Sequence, residues 1–290
     1  MSQTDKASFL LEIASILDIP IPKVYKTVEL ALEQEGCIHM EDLTTRGKTM
    51  SYFESVNLTQ IKYLIQKLAH MHKRLLETDE SKWKNKFMKH RKGFSEITTF
   101  FGDLVEPFLQ KCKRREAFEP FLEKYRKFAF NKDYMVYVHQ QSYQDLGLKP
   151  VIVHGDIKSG NILFAIDSNG DLQNEIAAII DWQVLREGSP MYDLAYFLAH
   201  NADGVVRDET KVPYTIEQLQ KDYNYVFLTQ AFFIPFLAVF MFNGIECKIK
   251  NQGIKDAFFD FITLKSIHAF EDADRLLTNE MKDVLEKYNY

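Results

Sequence analysis

The chain has 290 residues, of which 46% are hydrophobic and 27% charged, with a formal net charge of −5. This composition is ordinary for a globular protein and excludes disorder, collagen and a coiled-coil rod as the main state. With 36 basic against 41 acidic residues, it lacks the positive balance typical of nucleic-acid-binding proteins. We therefore expect a folded chain of one or two domains that does not bind nucleic acid.

The N-terminal region predicts a short mixed α/β opening. Residues 5–17 carry apolar side chains at helical spacing, and the two prolines at positions 20 and 22 end that helix. Strand-like runs follow near 23–32 and 36–41. The three cysteines form no CxxC pair, and no basic start precedes an apolar run at the N-terminus. These features favour a cytoplasmic protein.

The first long helix is predicted from residue 58, where apolar residues begin to recur at helical spacing as far as Leu75. Asn57 or Thr59 is the candidate N-cap, and Asn57 with Gln60 has the spacing of a capping box. Residues 95–130 and 215–290 also have mainly helical patterns. Most of the chain is therefore expected to be helical.

One segment has the length of a membrane span. Val226–Ile245 contains 20 residues without a charge, about the number needed to cross a bilayer. It includes Gln230, Pro235 and Asn243, and no polybasic flank sets an orientation. Our interpretation is a buried helix in a large helical lobe, with a membrane span as the alternative.

The central region has the pattern of a polar loop followed by a β-hairpin. The predicted strands are Val151–Val153, Asn161–Ala165 and Glu175–Ile180, with a turn signal at Asn169-Gly170. Residues equidistant from a hairpin turn lie opposite each other. Asn161 and Asp181 are centred on residue 171, so we expect them to meet at the open end of the hairpin.

Three oxygen-bearing side chains, Asp156, Asn161 and Asp181, are thus predicted to converge. Mg²⁺ prefers oxygen ligands and is usually held by one or two side chains together with substrate phosphates. Kinases use an Asp, an Asn five residues later and a subsequent metal-binding Asp. Lys158 lies two residues after Asp156, where its charge could neutralise a transferred phosphoryl group. The spacing predicts a site for phosphoryl transfer.

These segments resemble the kinase-like phosphotransferases of the aminoglycoside phosphotransferase and choline kinase type. The similarity is strongest to the choline-kinase-like group that includes ecdysteroid kinase-like proteins of insects and a large nematode set. It is carried by three segments, 154–163, 179–183 and 188–195. The stretches 21–25 and 40–43 also match. The resemblance extends from near the N-terminus to beyond residue 240.

The resemblance implies an α+β, protein-kinase-like fold of two lobes. Residues 1–43 would form a partial N-terminal lobe and hinge, and residues 44–290 a mainly helical C-terminal lobe with a short catalytic hairpin. The implied cofactors are ATP and Mg²⁺. The family also places a glycine-rich loop and a phosphate-binding Lys before the first long helix, and neither is identifiable in a sequence whose first glycine is Gly36.

The implied roles fall on individual residues. Asp156 would be the catalytic base, and Asn161 and Asp181 would hold the metal. Lys158 is the second residue predicted to be catalytic, from its position two residues after Asp156. Two further residues would shape and brace the catalytic loop, namely His154 and Asp193. The backbone of the hinge would face the nucleotide base, at Met40, Glu41, Asp42 and Leu43.

The acceptor is expected to be a small hydroxylated molecule. Asp193 follows Asp181 by 12 positions, which leaves no room for the long activation segment with which protein kinases hold a polypeptide. No feature indicates an obligate protein partner. The expected function is an ATP- and Mg²⁺-dependent small-molecule phosphotransferase.

Because of the incomplete N-terminal lobe, three interpretations stay open, namely a truncated isoform or gene model, a partner that supplies the missing half, and a catalytically impaired binding protein.

Overall fold

The computed structural model describes residues 13–14, 16–28, 35–51, 53–86, 93–209, 217–245 and 250–290. The chain forms two compact units, one of residues 1–89 and 149–197 and the other of residues 90–148 and 198–290. The described residues combine a majority of helix with small antiparallel sheets. The expected α+β class is confirmed, while the division into residues 1–43 and 44–290 stays a prediction.

The first unit contains the β-strands that the structure describes, arranged in small antiparallel sheets. Strands β1 and β2 pair with each other, β5 lies between β3 and β6, and β4 pairs with β7. Their bounds are β1 Val24–Val28, β2 Cys37–Met40, β3 Gly47–Lys48, β4 Val151–Val153, β5 Ile162–Ile166, β6 Leu172–Ile179 and β7 Arg186–Gly188.

Each strand predicted from the sequence has a counterpart among these seven. The predicted run near 23–32 corresponds to β1, and its residues 29–34 lie outside the described ones. Of the helix predicted over 5–17, Ile13 and Leu17 are helical and buried, while residues 1–12 and 15 lie outside the described part. The carbonyl of Pro20 accepts a hydrogen bond from the backbone N–H of Ile179 at 2.8 Å, which ties this N-terminal segment to the end of β6.

The turn of the β5–β6 hairpin differs from the prediction. The N–H of Asp167 donates to the carbonyl of Asp171 and the N–H of Gly170 donates to the carbonyl of Asp167, each at 3.0 Å. Gly170 has a φ of 82°, in the left-handed region that glycine adopts readily. The connection is therefore a three-residue loop with one left-handed glycine, and not a two-residue Asn-Gly turn.

The register of the hairpin is shifted as a result. Ile166 pairs with Leu172 near the turn, whereas Ile162 pairs with Ile179 at the open end, with irregularities between these two pairs. Each irregularity adds unpaired residues to one strand. The backbone of Asn161 consequently lies opposite Ile180, and Asp181 is the next residue along.

Helix α1, Leu58–Leu76, has the bounds expected from the sequence. The side chain of Asn57 accepts from the N–H of Gln60 at 2.9 Å, and the side chain of Gln60 accepts from the N–H of Asn57 at 3.0 Å. The capping box is thus confirmed, and the choice between Asn57 and Thr59 falls on Asn57. The apolar stripe of α1 packs against β4 and β6.

The second unit is built from helices. In chain order they are α2 Gly93–Asp103, α3 Val105–Lys111, α4 Arg115–Ala129, α5 Lys132–Gln140, α6 Ser142–Asp145, then α7 Tyr192–Asn201, which begins in the first unit, and α8 Gly204–Glu209, α9 Glu217–Ala231, α10 Ile234–Ile245, α11 Gln252–Thr278 and α12 Lys282–Tyr288. Phenylalanine rings form its core. Phe118 and Phe232 each meet Phe270 edge to face, with centroids 5.1 and 4.9 Å apart, a favoured geometry for aromatic pairs.

The uncharged segment 226–245 is divided between two helices. Helix α9 ends at Ala231 and α10 begins at Ile234, with a bend of 46° between α9 and the residues 234–240. Val226, Phe236 and Val239 are fully buried. Among the described residues no single helix is long and apolar enough to cross a membrane, although this bent pair passes the test of length and composition together.

The cap of α1 gives a first prediction. Replacing Asn57 by Ala removes the acceptor for the N–H of Gln60 and should lower the free energy of unfolding by about 1 kcal/mol. Thr59→Ala is the matched control, because Thr59 is exposed in the first turn and makes no cap. Urea denaturation of both variants tests this, and equal stability of the two would contradict the assignment of the cap.

Candidate active site

The loop between β4 and β5 is held at its start by one buried carboxylate. Asp193 lies in the first turn of α7 and is fully buried. Its Oδ2 accepts a hydrogen bond from the N–H of His154 at 2.7 Å, and its Oδ1 accepts from the N–H of Gly155 at 2.9 Å. Hydrogen bonds to a carboxylate are among the stronger ones in proteins. Asp193 therefore fixes the direction in which the chain leaves β4.

Gly155 makes the turn that follows, in a conformation and a space that only glycine fits. Its φ is 87°, and a Cβ atom there would lie 2.3 Å from Nη1 of Arg186 and 2.7 Å from the carbonyl oxygen of Val184. Arg186 belongs to β7 and pairs with Val153 of β4. The close approach of β7 to the loop is thus possible because residue 155 is a glycine and has no side chain.

His154 connects the loop to the end of β6. The ring is buried, its Nε2 is 2.8 Å from the carbonyl oxygen of Ile180, and its Nδ1 accepts from the N–H of Asp156 at 3.2 Å. Burial lowers the pKa of His154, which favours the neutral ring. A neutral ring with its proton on Nε2 satisfies both bonds. These contacts are what a loop-shaping role requires.

Asp156 receives hydrogen bonds on both carboxylate oxygens. Oδ2 accepts from Nζ of Lys158 at 2.8 Å and from Nδ2 of Asn161 at 3.1 Å. Oδ1 accepts from the hydroxyl of Tyr196 at 2.6 Å. Nδ2 of Asn161 also donates to the backbone carbonyl of Asp156 at 2.8 Å. The structure therefore brings Asp156, Lys158 and Asn161 into direct contact.

Asp181 reaches the same region through the backbone. The N–H of Ile180 donates to the carbonyl of Asn161 at 2.9 Å, and Asp181 follows with a φ of 63°. A positive φ is uncommon for any residue but glycine, although Asp and Asn tolerate it best. The exposed carboxylate accepts a bond of 3.3 Å from the side chain of Gln183. Trp182, which follows, is packed and donates its ring N–H to the carbonyl of Ile179 at 3.0 Å.

The oxygen atoms at this end of the hairpin fit a hard cation. Both hydrogen bonds made by the Nδ2 group of Asn161 are directed to Asp156, which leaves the amide oxygen as an acceptor for another group. The carboxylate of Asp181 could supply a second hard oxygen donor, and its role as a metal ligand stays a prediction. No cluster of three or more His, Cys, Asp or Glu residues suited to a metal occurs in the described part of the chain. An Asn–Asp pair that relies on substrate oxygens for the rest is the arrangement typical of Mg²⁺.

The residues predicted as a hinge begin with Met40, the last residue of β2, and continue into the connection between β2 and β3. The N–H of Glu41 donates to the carbonyl of Lys23 at 2.8 Å, and its carboxylate pairs with Arg46 at 2.8 Å. Asp42 accepts from the backbone and hydroxyl of Thr44 at 2.9 and 2.7 Å. Leu43 is buried and Met40 is exposed. The side chains of Glu41 and Asp42 thus stabilise the turn, and a role of this backbone in nucleotide binding stays a prediction.

Two contributors to the site were missed by the sequence reasoning, namely Tyr196 and Arg186. Tyr196 lies three residues after Asp193, one helical turn along α7, so both side chains lie on the same face of the helix. That spacing was the available signal. Arg186 carried no such signal, because its contact with Gly155 depends on the pairing of β4 with β7.

The comparisons with known proteins identify a family. A model of the ecdysteroid kinase-like family matches residues 18–223, which is more than half of the chain. An uncharacterized kinase-like protein of Caenorhabditis elegans is 23% identical over 239 residues, covering 75% of this chain and 61% of that protein. An uncharacterized oxidoreductase of the same organism is 24% identical over 246 residues, covering 75% of this chain and 29% of that protein. The chain thus spans less than two thirds of the length of these relatives.

Solved structures share the fold. The GDP complex of aminoglycoside 2'-phosphotransferase-IIIa has a TM-score of 0.54 at 15% identity, covering 94% of this chain and 82% of that one. A choline kinase from Cryptosporidium parvum has a TM-score of 0.51 at 12% identity, covering 95% of this chain and 81% of that one. The protein-kinase-like fold expected from the sequence is confirmed.

Gly155 provides a test of the loop geometry. Gly155→Ala should lower the free energy of unfolding by about 3 kcal/mol, because a Cβ atom would meet Arg186 and the backbone would be held at a strained φ. Gly160→Ala is the control in the same loop, since among the described residues beyond its two chain neighbours no heavy atom lies within 4 Å of the added carbon, and its φ is not positive. Chemical denaturation of the two variants decides the matter, and a harmless Gly155→Ala would rule out the close packing of β7 on the loop.

A second test concerns His72 on α1, a half-buried residue whose ring Nε2 is buried and which lies in the electrostatic field of Asp193. Burial lowers the pKa of His72 to about 4, whereas an unfolded histidine titrates near ~6.5. Between these values the unfolded chain binds a proton that the folded chain does not. The free energy of unfolding is therefore unaffected by His72 above pH ~6.5 and decreases as the pH falls below that value. The loss from this residue between pH 7 and 4.5 should be roughly 2.5 kcal/mol.

His72→Gln should remove that part of the pH dependence of unfolding. His70→Gln is the control, because His70 is exposed on the same helix and hydrogen-bonds Asp18 at 2.8 Å. Denaturation curves at pH 7 and 4.5 give the comparison. A His72→Gln protein with the full wild-type loss of stability would contradict a buried neutral ring.

Proposed function

This chain belongs to the ecdysteroid kinase-like family, and on that basis we propose that it transfers the terminal phosphoryl group of ATP to a hydroxyl group of a small molecule. The observation that supports this most directly is the hydrogen-bonded set of Asp156, Lys158 and Asn161, joined through one backbone bond to the segment that ends in Asp181. A carboxylate, a cation and two further oxygen ligands are the parts that phosphoryl transfer requires.

In this proposal Asp156 is the general base. Its carboxylate is fixed by neighbouring donors and would accept the proton of the acceptor hydroxyl. Lys158 has a side chain that is 26% exposed, so it can move from Asp156 toward an incoming phosphate. Its positive charge would then stabilise the charge on the transferred group.

Asn161 and Asp181 would hold Mg²⁺ through the amide oxygen and the carboxylate. When bound, the ion would neutralise charge on the phosphate oxygens and orient the terminal phosphate. The left-handed backbone of Asp181 turns its side chain out of the β6 strand and leaves it exposed. His154 supports this arrangement by its bond to the carbonyl of Ile180.

The nucleotide would contact the backbone of Met40 to Leu43. One neighbour in fold, the aminoglycoside 2'-phosphotransferase, was solved with GDP, so a guanine nucleotide is a second candidate beside ATP. The acceptor class is a small hydroxylated molecule such as choline, an aminoglycoside or an ecdysteroid. A cytoplasmic site of action, independence from nucleic acid and membrane, and the lack of an obligate partner belong to the same proposal.

Binding is tested by thermal unfolding of the whole chain with ATP or GTP, each with and without Mg²⁺. A ligand that binds the folded state raises its stability by mass action, by about 2.7 kcal/mol at 100 times the dissociation constant. We expect one nucleotide to raise the melting temperature and Mg²⁺ to increase the shift. An unchanged melting temperature in all four conditions would refute nucleotide binding.

Asp181→Asn tests the metal site without disturbing the backbone, because Asn tolerates a positive φ as Asp does. The variant should lose the Mg²⁺-dependent part of the thermal shift. Turnover should also fall at least ~100-fold, which corresponds to a loss of ~2.7 kcal/mol in stabilisation of the transition state. Asp171→Asn is the control, an exposed acid at the other end of the hairpin. Phosphorylation of choline, an aminoglycoside and an ecdysteroid is followed by release of nucleoside diphosphate.

The same experiments separate the enzyme from a catalytically silent binding protein. Nucleotide binding that depends on Asp181, with no transfer to any acceptor tried, would support the silent protein. Turnover that persists in Asp181→Asn would instead contradict the assignment of this residue to the metal.

A further inference from the structure

The two oxygens of the Asp156 carboxylate have donors of different character. Oδ1 accepts from the hydroxyl of Tyr196 at 2.6 Å, and Tyr196 is only 7% exposed. Oδ2 accepts from Lys158, whose side chain is 26% exposed, and from the amide of Asn161. One oxygen is thus held by a buried aromatic residue and the other, in part, by a flexible side chain near solvent.

Tyr196 is held in place by aromatic packing on its own helix. Its ring stacks on that of Tyr192, with centroids 6.2 Å apart and 28° between the planes. The guanidinium of Arg186 lies 4.0 Å above the ring of Tyr192. Arg186 in turn approaches Gly155 so closely that a Cβ atom would not fit between them. A continuous set of contacts therefore links Tyr196 to the loop that carries Asp156.

The hydroxyl of Tyr196 is placed to donate to Oδ1 of Asp156. Burial, followed by the negative charge of Asp156, raises the pKa of Tyr196 well above the ordinary value of 10, which favours the protonated phenol. The ammonium group of Lys158, by contrast, can change its position, because it lies at the end of a long flexible side chain with rotatable donors.

We propose that Tyr196 is a positioning residue that occupies Oδ1 of Asp156 throughout the reaction and thereby makes Oδ2 the oxygen that receives the acceptor's proton. This inference rests on the proposed function. Lys158 leaves Oδ2 for the phosphate oxygens of the nucleoside triphosphate, which frees one of the two acceptor positions of Oδ2, while Asn161 keeps the other. The acceptor oxygen forms a bond to the terminal phosphorus, the bond from phosphorus to the leaving nucleoside diphosphate breaks, and the acceptor proton goes to Oδ2.

The two oxygens of a free carboxylate are chemically equivalent, and the hydrogen bond from Tyr196 distinguishes them in Asp156. Rotation of the carboxylate about the Cβ–Cγ bond exchanges them, and the bond from Tyr196 opposes that rotation. Loss of the hydroxyl should leave substrate binding intact and misdirect the base. Small errors of position at a reacting group cost up to about 100-fold in rate.

Tyr196→Phe is the variant that tests this role, because it removes one oxygen atom and keeps the buried ring. We expect kcat to fall by roughly 10- to 100-fold, with KM for nucleotide and acceptor unchanged within about twofold. Tyr63→Phe is the matched control, since Tyr63 also donates its hydroxyl to a carboxylate, that of Glu175 at 3.0 Å, on the exposed surface of the same unit. Unchanged kcat in Tyr196→Phe, or a loss of kcat matched by Tyr63→Phe, overturns the proposal.

A measurement on the protein without substrate keeps this test independent of the proposed function. A proton in a short, buried O–H···O⁻ bond exchanges slowly with water and resonates at low field in the proton NMR spectrum. This resonance should be present in the wild type and in Tyr63→Phe, and absent in Tyr196→Phe and Asp156→Ala. Its absence in the wild type refutes the positioning bond, whereas its presence in a protein without transferase activity refutes only the proposed function.

Discussion

The geometry of the site depends on one buried carboxylate, that of Asp193, whose hydrogen-bond donors in the described part of the chain are backbone N–H groups. Asp193 is neutralised by two backbone N–H groups, of His154 and Gly155, at 2.7 and 2.9 Å. A buried charge without such donors would cost several kcal/mol, so the loop and the carboxylate are each needed for the other. Because backbone N–H groups stabilise the carboxylate of Asp193, the ammonium group of Lys158 is not needed to hold the loop. It stays with Asp156, from which, in the proposed function, a phosphate would attract it.

Three further constraints convert this anchor into a defined site. Gly155 permits β7 to approach the loop, His154 ties the loop to the carbonyl of Ile180, and Tyr196 fixes one oxygen of Asp156. Each hydrogen bond contributes only about 1 kcal/mol of net stability. For the proposed function their importance lies in orientation, since phosphoryl transfer depends mainly on the position of the reacting groups and on their charge. The neutral state of His154 serves the same orientation of the loop. Only a neutral ring leaves Nδ1 free of a proton, so that it can accept the hydrogen bond from the N–H of Asp156.

The sequence predicted the elements around the site well, because their signals are local. The bounds and capping box of α1 followed from apolar periodicity and from Asn57 and Gln60, and the strands of the β5–β6 hairpin followed from their apolar runs. The register was predicted less well. The three-residue loop at Gly170 and the irregularities in the pairing place Asn161 opposite Ile180, one residue from the expected partner. A bulge is a response of the strand to packing on both of its faces, so it leaves little trace in a short pattern.

The sequence by itself determined which residue types are available to the site, because the spacing of Asp156, Lys158 and Asn161 on one loop and the position of Asp181 after a strand are properties of the chain order. Only the tertiary structure decided which atoms of those residues are engaged. The pairing of β4 with β7 brings Arg186 against Gly155, and the direction of α7 brings Tyr196 to Asp156 across 40 positions of the chain. Contacts of this kind depend on how separate elements pack, and packing is set by the whole core and not by any local pattern.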